Sequence, residues 1–132
     1  MTRLLAKFVM PAAALWLGIL PAPVASGPEG VWLTPPDRKG QTAHVDAKKC
    51  GVAYCGTIVT VFAPSGEPIS AATIGQRVFW DMIGSSNVYE GRAFVPAHNR
   101  NYNARMRVNG NRMTVSGCLG LVCQSQIWLR VR

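Results

Sequence analysis

The stretches that decide the fold lie at the two ends of the folded part: Gly30-Val31-Trp32 near its start and Ile127-Trp128-Leu129-Arg130 at its close. Both are typical of short β-strands. A guanidinium over an indole face gains roughly 0.5–2 kcal/mol, and more as water is excluded. If Arg130 stacks on Trp32, the first and last strands are neighbours and the sheet closes on itself. We therefore predict a barrel.

A Gly-x-Trp in the first strand and an Arg two residues beyond a Trp in the last strand resemble the closure signature of lipocalin-like barrels. The resemblance implies that Trp32 caps one end of the barrel and that Arg130 stacks across it. That end is then structural, and a function is expected elsewhere on the molecule.

The first 26 residues have the pattern of a secretory signal peptide. Arg3 and Lys7 precede an apolar run over residues 8–20, and small residues at 21–26 suit a cleavage site near Ser26. A membrane span needs about 20 apolar residues, and this run is shorter and contains Pro11. We expect a periplasmic or secreted protein whose mature domain comprises residues 27–132 and has no transmembrane span.

The mature part shows β patterning throughout, with short alternating or apolar runs between Gly, Pro, Asn and Ser. About eight strands in so short a chain indicate a small, all-β, antiparallel up-and-down barrel. Residues 70–74 fit either a short strand or a helical turn. The predicted strands cover residues 30–34, 41–48, 54–63, 76–83, 88–95, 102–109, 112–118 and 124–132.

The clearest hairpin runs over residues 102–118, and its turn has two possible registers. An Asn109-Gly110 turn is the strongest short-range hairpin signal, but it sets Arg107 opposite Arg112. Like charges that face each other across strands are unfavourable. A Gly110-Asn111 turn pairs Arg107 with Thr114 and avoids that repulsion. Both registers keep the same apolar face.

Two cysteine motifs point to a family. The stretch Cys50-Gly51-Val52-Ala53-Tyr54-Cys55-Gly56 predicts a strand, a tight turn and a returning strand, and Cys118-Leu119-Gly120-Leu121-Val122-Cys123 repeats that layout. Together with Gly30-Val31-Trp32-Leu33 and Phe94-Val95-Pro96, these motifs resemble the domain of unknown function 2147 family of exported bacterial proteins. The resemblance covers nearly all of the mature chain and implies a lipocalin-like barrel, but no settled activity.

Four cysteines allow three disulfide pairings. We favour Cys50–Cys55 and Cys118–Cys123, because each pair brackets a turn between adjacent strands, and we expect both to brace the strands near the Trp32 closure. Four thiolates on zinc would need closer spacing, such as C-x2-C, and a reducing compartment.

The charge balance suggests one kind of partner. The formal charge is +8, and removal of Arg3 and Lys7 with the signal peptide leaves +6. An exported basic protein meets anionic headgroups more readily than nucleic acid, so we expect no nucleic-acid partner. The outward face of the 102–118 hairpin carries Arg105, Arg107 and Arg112. This candidate basic face supports an alternative function, a filled-core module that binds anionic headgroups or a protein partner.

No pattern of catalytic residues is present: no nucleophile elbow, phosphate-binding loop or metal-ligand repeat. We expect no enzymatic activity, no cofactor and no metal. An eight-stranded barrel either fills itself with side chains or holds one small ligand. The leading hypothesis is that it binds a small apolar or amphipathic ligand, and the same residues would equally suit a solid core. The candidate lining residues are Phe62, Trp80, Met82, Phe94, Met106 and Met113.

Overall fold

The computed structural model describes residues 10–19 and 27–132. Residues 10–19 carry no helix or strand, and the rest of the predicted signal peptide lies outside the described residues. None of the described residues belongs to a helix that could span a bilayer. The strands are β1 (Gly30–Leu33), β2 (Thr42–Cys50), β3 (Ala53–Phe62), β4 (Pro68–Ile69), β5 (Arg77–Ser85), β6 (Val88–Val95), β7 (Arg100–Asn109), β8 (Arg112–Leu119) and β9 (Val122–Arg130).

Eight of these strands form a closed antiparallel barrel, which confirms the predicted fold class. Neighbours in the chain pair as a meander, β2 pairs with both β1 and β3, and β1 also pairs with β9 to complete the ring. The sequence did not predict β4, a two-residue strand that lies against the end of β3. The ambiguous segment at residues 70–74 ends in a turn that covers residues 72–75.

The up-and-down topology gives the barrel two different ends. We call the closed end the one that carries residues 27–29, the chain terminus and the turns at residues 51–52, 86–87 and 110–111. We call the open end the one that carries the connections at residues 34–41, 63–76, 96–99 and 120–121. Three of the four open-end connections are longer than two residues, whereas all three closed-end turns are two-residue hairpins.

The hairpin between β7 and β8 adopts the Gly110-Asn111 turn. Asn109 pairs with Arg112 and Arg107 with Thr114, so the two arginines do not face each other. Gly110 has φ 59°, a left-handed conformation that glycine adopts at no steric cost. Turn geometry and charge repulsion therefore select the same register.

The core is apolar and most densely filled toward the closed end. Trp32, Phe79, Met82, Met106 and Met113 are fully buried. On the wall formed by β6–β8, the next inward positions toward the open end are small, namely Gly91, Ala104 and Gly117, which lie side by side across the three strands. Along this wall the inward side chains therefore change from large to small.

Trp32 and Arg130 meet at the closed end. The Trp32 indole is fully buried, its Nε1 donates to the Pro28 carbonyl at 2.8 Å, and the Arg130 guanidinium lies 4.3 Å from the ring centroid. The guanidinium also donates to the carbonyls of Gly27 at 2.8 Å and Gly110 at 3.2 Å, and to that of Glu29. This one side chain thus ties the N-terminal segment, the last strand and the β7–β8 turn together.

Candidate functional site: the open end of the barrel

The seam between the first and last strands is short. β1 pairs with β9 at Trp32–Arg130 and Leu33–Leu129, and within residues 27–132 no further pair extends this ladder toward the open end. The next residues of β1 would be Thr34 and Pro35. The Thr34 amide faces β2 and donates to the Ala43 carbonyl, and Pro35, the next residue on the β9 side, has no N–H to donate. The wall is therefore parted beside residues 122–127 of β9.

Two inward-facing glutamines line this opening. Trp128 is buried in the core, so strand alternation places Gln126 and Gln124 on the same inward side of β9. Both are nevertheless exposed, whereas Trp128 on the same side of the strand is buried. The Trp128 Nε1 donates to Gln126 Oε1 at 3.0 Å, which fixes the amide above the buried indole. Solvent therefore reaches the inner wall of the barrel at this end.

The wall beside the glutamines is formed of small residues and one tyrosine. Gly117 pairs with Gln124 on one side and Ala104 on the other. A Cβ on Gly117 would meet only Tyr102, at 3.6 Å, an ordinary contact distance. The hydroxyl of Tyr102 lies 2.8 Å from His98 Nδ1 in the β6–β7 turn. The rim thus presents a phenol, an imidazole and two amides.

This arrangement suits an amphipathic molecule. The indole of Trp128 lies 6.1 Å from the ring of Phe79, and both are buried below the glutamines. An apolar group would rest against the small residues Gly117 and Ala104, and a polar group would find neutral hydrogen-bond donors and acceptors at the rim. Mostly apolar walls with a few placed polar groups are typical of small-molecule sites.

The structure separates the six predicted lining residues into two sets. Met82, Met106 and Met113 are fully buried in the core. The three aromatic residues are half-buried and lie on the outward side of their strands. Phe62 lies edge-on to His44, with centroids 4.7 Å apart, Trp80 lies under the Arg77 guanidinium at 5.0 Å, and Phe94 follows the buried Ala93.

Sequence reasoning missed Gln124 and Gln126 because polar residues in a strand suggest the outer face. The signal that could have found them is their spacing of two and four residues from Trp128. His44 is half-buried on the outer face, where burial lowers its pKa and the nearby positive charge of Arg132 lowers it further.

The candidate basic face is outward and exposed, but it is not purely cationic. Arg105 forms an ion pair with Glu90 at 2.8 Å. Beside it, the Ser116 and Ser125 hydroxyls lie 2.7 Å apart, and a shallow depression of about 620 Å³ crosses β6–β9. Arg107 and Arg112 lie nearer the closed end. The three arginines therefore do not form one uninterrupted cationic patch.

Each cysteine is bonded to the one five residues away, Cys50 to Cys55 and Cys118 to Cys123. The expectation that both bridges lie near the Trp32 closure is wrong. The Cys50–Cys55 turn is at the closed end, whereas the Cys118–Cys123 turn is at the open end, because consecutive strands of a meander end alternately at the two ends. Two disulfides indicate an oxidising, extracytoplasmic environment.

Among the described residues no cluster of His, Cys, Asp and Glu is placed to hold a metal ion. Two further groups at the closed end have perturbed protonation. Burial lowers the pKa of the Arg130 guanidinium, and burial raises the pKa of Tyr89 with a smaller contribution from Tyr54. Both belong to the filled part of the barrel and not to the open end.

The geometry defines a lipocalin-like barrel. A similar solved structure is protein HP1028 from the human pathogen Helicobacter pylori, described as belonging to the lipocalin family. The TM-score is 0.65 at 15% identity, over 79% of this chain and 82% of that one. At such identity the likeness shows the fold alone.

A family model described as "Uncharacterized protein conserved in bacteria (DUF2147)" matches residues 30–130. The chain therefore belongs to this family, which confirms the resemblance drawn from its cysteine motifs. No curated protein matches the chain significantly.

Proposed function

We propose that this protein is an exported, non-catalytic barrel that binds one small apolar or amphipathic ligand at its open end. The observation that carries the proposal is the exposure of Gln124 and Gln126, which point inward on β9, above the buried Trp128. An eight-stranded barrel has room for one small ligand where its interior is not filled. Gly117, Ala104 and Gly91 leave that part of the wall without large side chains.

The ligand chemistry follows from the two layers of the site. Gly117 and Ala104, beside the slightly exposed Trp128, form an apolar wall, which favours an acyl chain or a ring. Gln124, Gln126 and Tyr102 offer neutral donors and acceptors, and the Tyr102 hydroxyl already lies beside His98. A single-chain amphiphile with a hydrogen-bonding headgroup matches both layers.

Export is supported by the two disulfides and by the signal-peptide pattern of residues 1–26. We place the protein in the periplasm or the secreted fraction. Mass spectrometry of the protein recovered from expressing bacterial cells tests this. The expected N-terminus lies at or near Gly27, and an intact Met1 in a cytoplasmic fraction would contradict it.

The binding test uses the mature protein and a soluble fluorescent fatty acid, titrated below its micelle concentration. Wild type is expected to saturate at one probe per barrel. Gly117→Leu places a branched side chain inside the open end and is expected to weaken binding at least about tenfold. Ser116→Leu adds the same side chain to the outer face of the same strand and is the matched control.

Two results would contradict the proposal. One is the absence of saturable binding to correctly folded wild type. The other is equal loss of affinity in both leucine variants, which would place the probe on the outer face. Circular dichroism and denaturation of each variant establish that the barrel is intact before the titrations are compared.

A further inference from the structure

We propose that the open end of the barrel docks on an anionic lipid bilayer through the turn between β8 and β9. The docking rests on its own observations. Its consequence, that the ligand passes between the membrane and the barrel without crossing bulk water, rests on the proposed function.

The turn carries an exposed apolar cluster, which we call the apolar tip: Leu119, Leu121 and Val122. Their side chains are 48%, 102% and 71% exposed. Single exposed apolar residues are ordinary on a protein surface, whereas a contiguous group of them marks an interaction site. Leu119 and Val122 are directly paired across the strands, so the group is contiguous.

The apolar tip is held in a fixed shape. Cys118 and Cys123 are bonded immediately behind it, and Gly120 takes the left-handed φ of 58° that the two-residue turn needs. Insertion of such a turn costs little conformational entropy, because its backbone is already ordered. An ordered turn that already exposes its apolar side chains suits a fluid apolar phase, whereas a protein partner would need a matching pocket.

Cations flank the apolar tip on both sides of the rim. β9 neighbours β1, which leads into the loop that carries Arg38 and Lys39, and β8 neighbours β7, which begins at Arg100. All three are exposed, and no ion pair engages them within residues 27–132. The carboxylate of Asp37 in the same loop accepts the backbone N–H groups of Lys39 and Gln41. Basic side chains beside an inserted apolar group favour anionic headgroups.

The closed end is the alternative docking surface of this barrel. Comparing the two ends separates the contribution of positive charge from that of apolar insertion. The closed end carries more positive charge, including Lys48, Lys49 and Arg107, but its exposed apolar residues are not paired with one another across strands: Val52, Ile83, Leu129 and Val131. Electrostatics alone would orient the closed end toward an anionic surface. Apolar insertion selects the open end, where Leu119, Leu121 and Val122 are contiguous.

The experiment measures co-sedimentation of the mature protein with phosphatidylglycerol–phosphatidylcholine vesicles, and with phosphatidylcholine vesicles alone. Wild type is expected to bind the anionic vesicles more strongly. Leu121→Ser is expected to lower the partition coefficient about tenfold, because it removes one inserted leucine. Val52→Ser makes a comparable change in the other disulfide-bracketed turn and is expected to lower it less than about twofold. Both side chains are exposed, so neither change should affect folding.

Three results would overturn the proposal: no binding of wild type to anionic vesicles, no effect of Leu121→Ser, or a larger effect of Val52→Ser than of Leu121→Ser. Capture of a protein by the apolar tip without vesicle binding would replace the bilayer with a protein partner. The probe titration in vesicle-free solution tests the ligand site separately. Leu121→Ser is expected to keep that affinity, so loss of docking and loss of ligand binding are distinguishable.

Discussion

Trp32 and Trp80 are the same residue type in two strands of one barrel, yet they lie on opposite sides of its wall. Trp32 is fully buried, donates a hydrogen bond from its indole and lies under the Arg130 guanidinium. Trp80 is half-buried on the outer face, where Arg77 covers it from the solvent side. Both have a cation–π contact, so burial is the main difference between them.

This contrast gives a stability prediction. Trp32→Ala is expected to lower the free energy of unfolding by about 3–5 kcal/mol, because it removes a large buried side chain and leaves a cavity. Trp80→Ala is expected to cost about 1 kcal/mol. Urea denaturation followed by circular dichroism measures both. A cost below about 1 kcal/mol for Trp32→Ala would refute the account of barrel closure.

At the scale of the strands, two bulges explain why the sequence pattern assigned some side chains to the wrong face of the sheet. The β2–β3 ladder shifts register between His44 and Val45, and the β5–β6 ladder shifts between Trp80 and Ile83. Each extra residue reverses the inward–outward alternation beyond it, and counting by twos along a sequence cannot see it. The turn registers and the cysteine pairing were predictable because they depend on residues only a few positions apart.

Phe94 lies in a strand with no such shift, and its alternation was visible from the start. It shares the outward side with Glu90 and Arg92, while Tyr89 and Ala93 are buried. It was proposed as a lining residue because it is aromatic. At Phe94 the spacing of residues along the strand predicts the outward side correctly, whereas its aromatic character does not.

The bulge in β5 makes a prediction about Gly91. A Cβ at Gly91 would lie 2.6 Å from the Asp81 carbonyl oxygen and 2.7 Å from that of Trp80, both of them backbone atoms in the bulge. Gly91→Ala is expected to lower the free energy of unfolding by about 1–3 kcal/mol. Gly117→Ala, in the open part of the same wall, is expected to stay within about 0.5 kcal/mol of wild type. Denaturant unfolding measures the free energy of unfolding of both variants. Equal losses would show that the bulge backbone can shift to make room for a Cβ at Gly91.

The two disulfides close loops of equal length, since each joins cysteines five residues apart. On the chain-entropy model each bridge contributes about 2 kcal/mol. The double variant Cys118→Ala, Cys123→Ala is expected to lose that contribution to the free energy of unfolding. It is also expected to keep the circular dichroism spectrum of the barrel. The pair Cys50→Ala and Cys55→Ala is expected to cost more, because Cys55 is also buried in the wall. Unfolding of either variant at 25 °C without denaturant would mean that the bridges hold the fold together.

At the scale of the whole molecule, the two ends of the barrel have divided roles. The closed end gathers residues 27–29, the C-terminus, three tight turns and the Trp32–Arg130 contact, and the open end has a parted seam and small inward residues. The sequence could predict the closure, because it depends on two short motifs, the ones that contain Trp32 and Arg130. It could not predict the opening, because that depends on where the β1–β9 ladder stops, and β1 is only four residues long.

The parted seam predicts an alternating pattern of amide exchange along β9. The Arg130 amide donates to Asn111 on the β8 side and the Val131 amide to Val31 on the β1 side, so even-numbered amides of the strand point to β8 and odd-numbered ones away from it. Beyond Leu33 no β1 residue pairs with the odd-numbered side, within the part of the chain the structure describes.

Cys123, Ser125 and Ile127 are therefore expected to exchange at least about tenfold faster than Gln124, Gln126 and Trp128. Residue-resolved hydrogen exchange by NMR on the ligand-free mature protein measures this. The amides of β7, which pairs with β6 over residues 100–107 and with β8 over residues 103–109, serve as the internal reference for a closed wall. Uniform protection along β9 would show that a further strand covers its edge, and the open end would then be closed in solution.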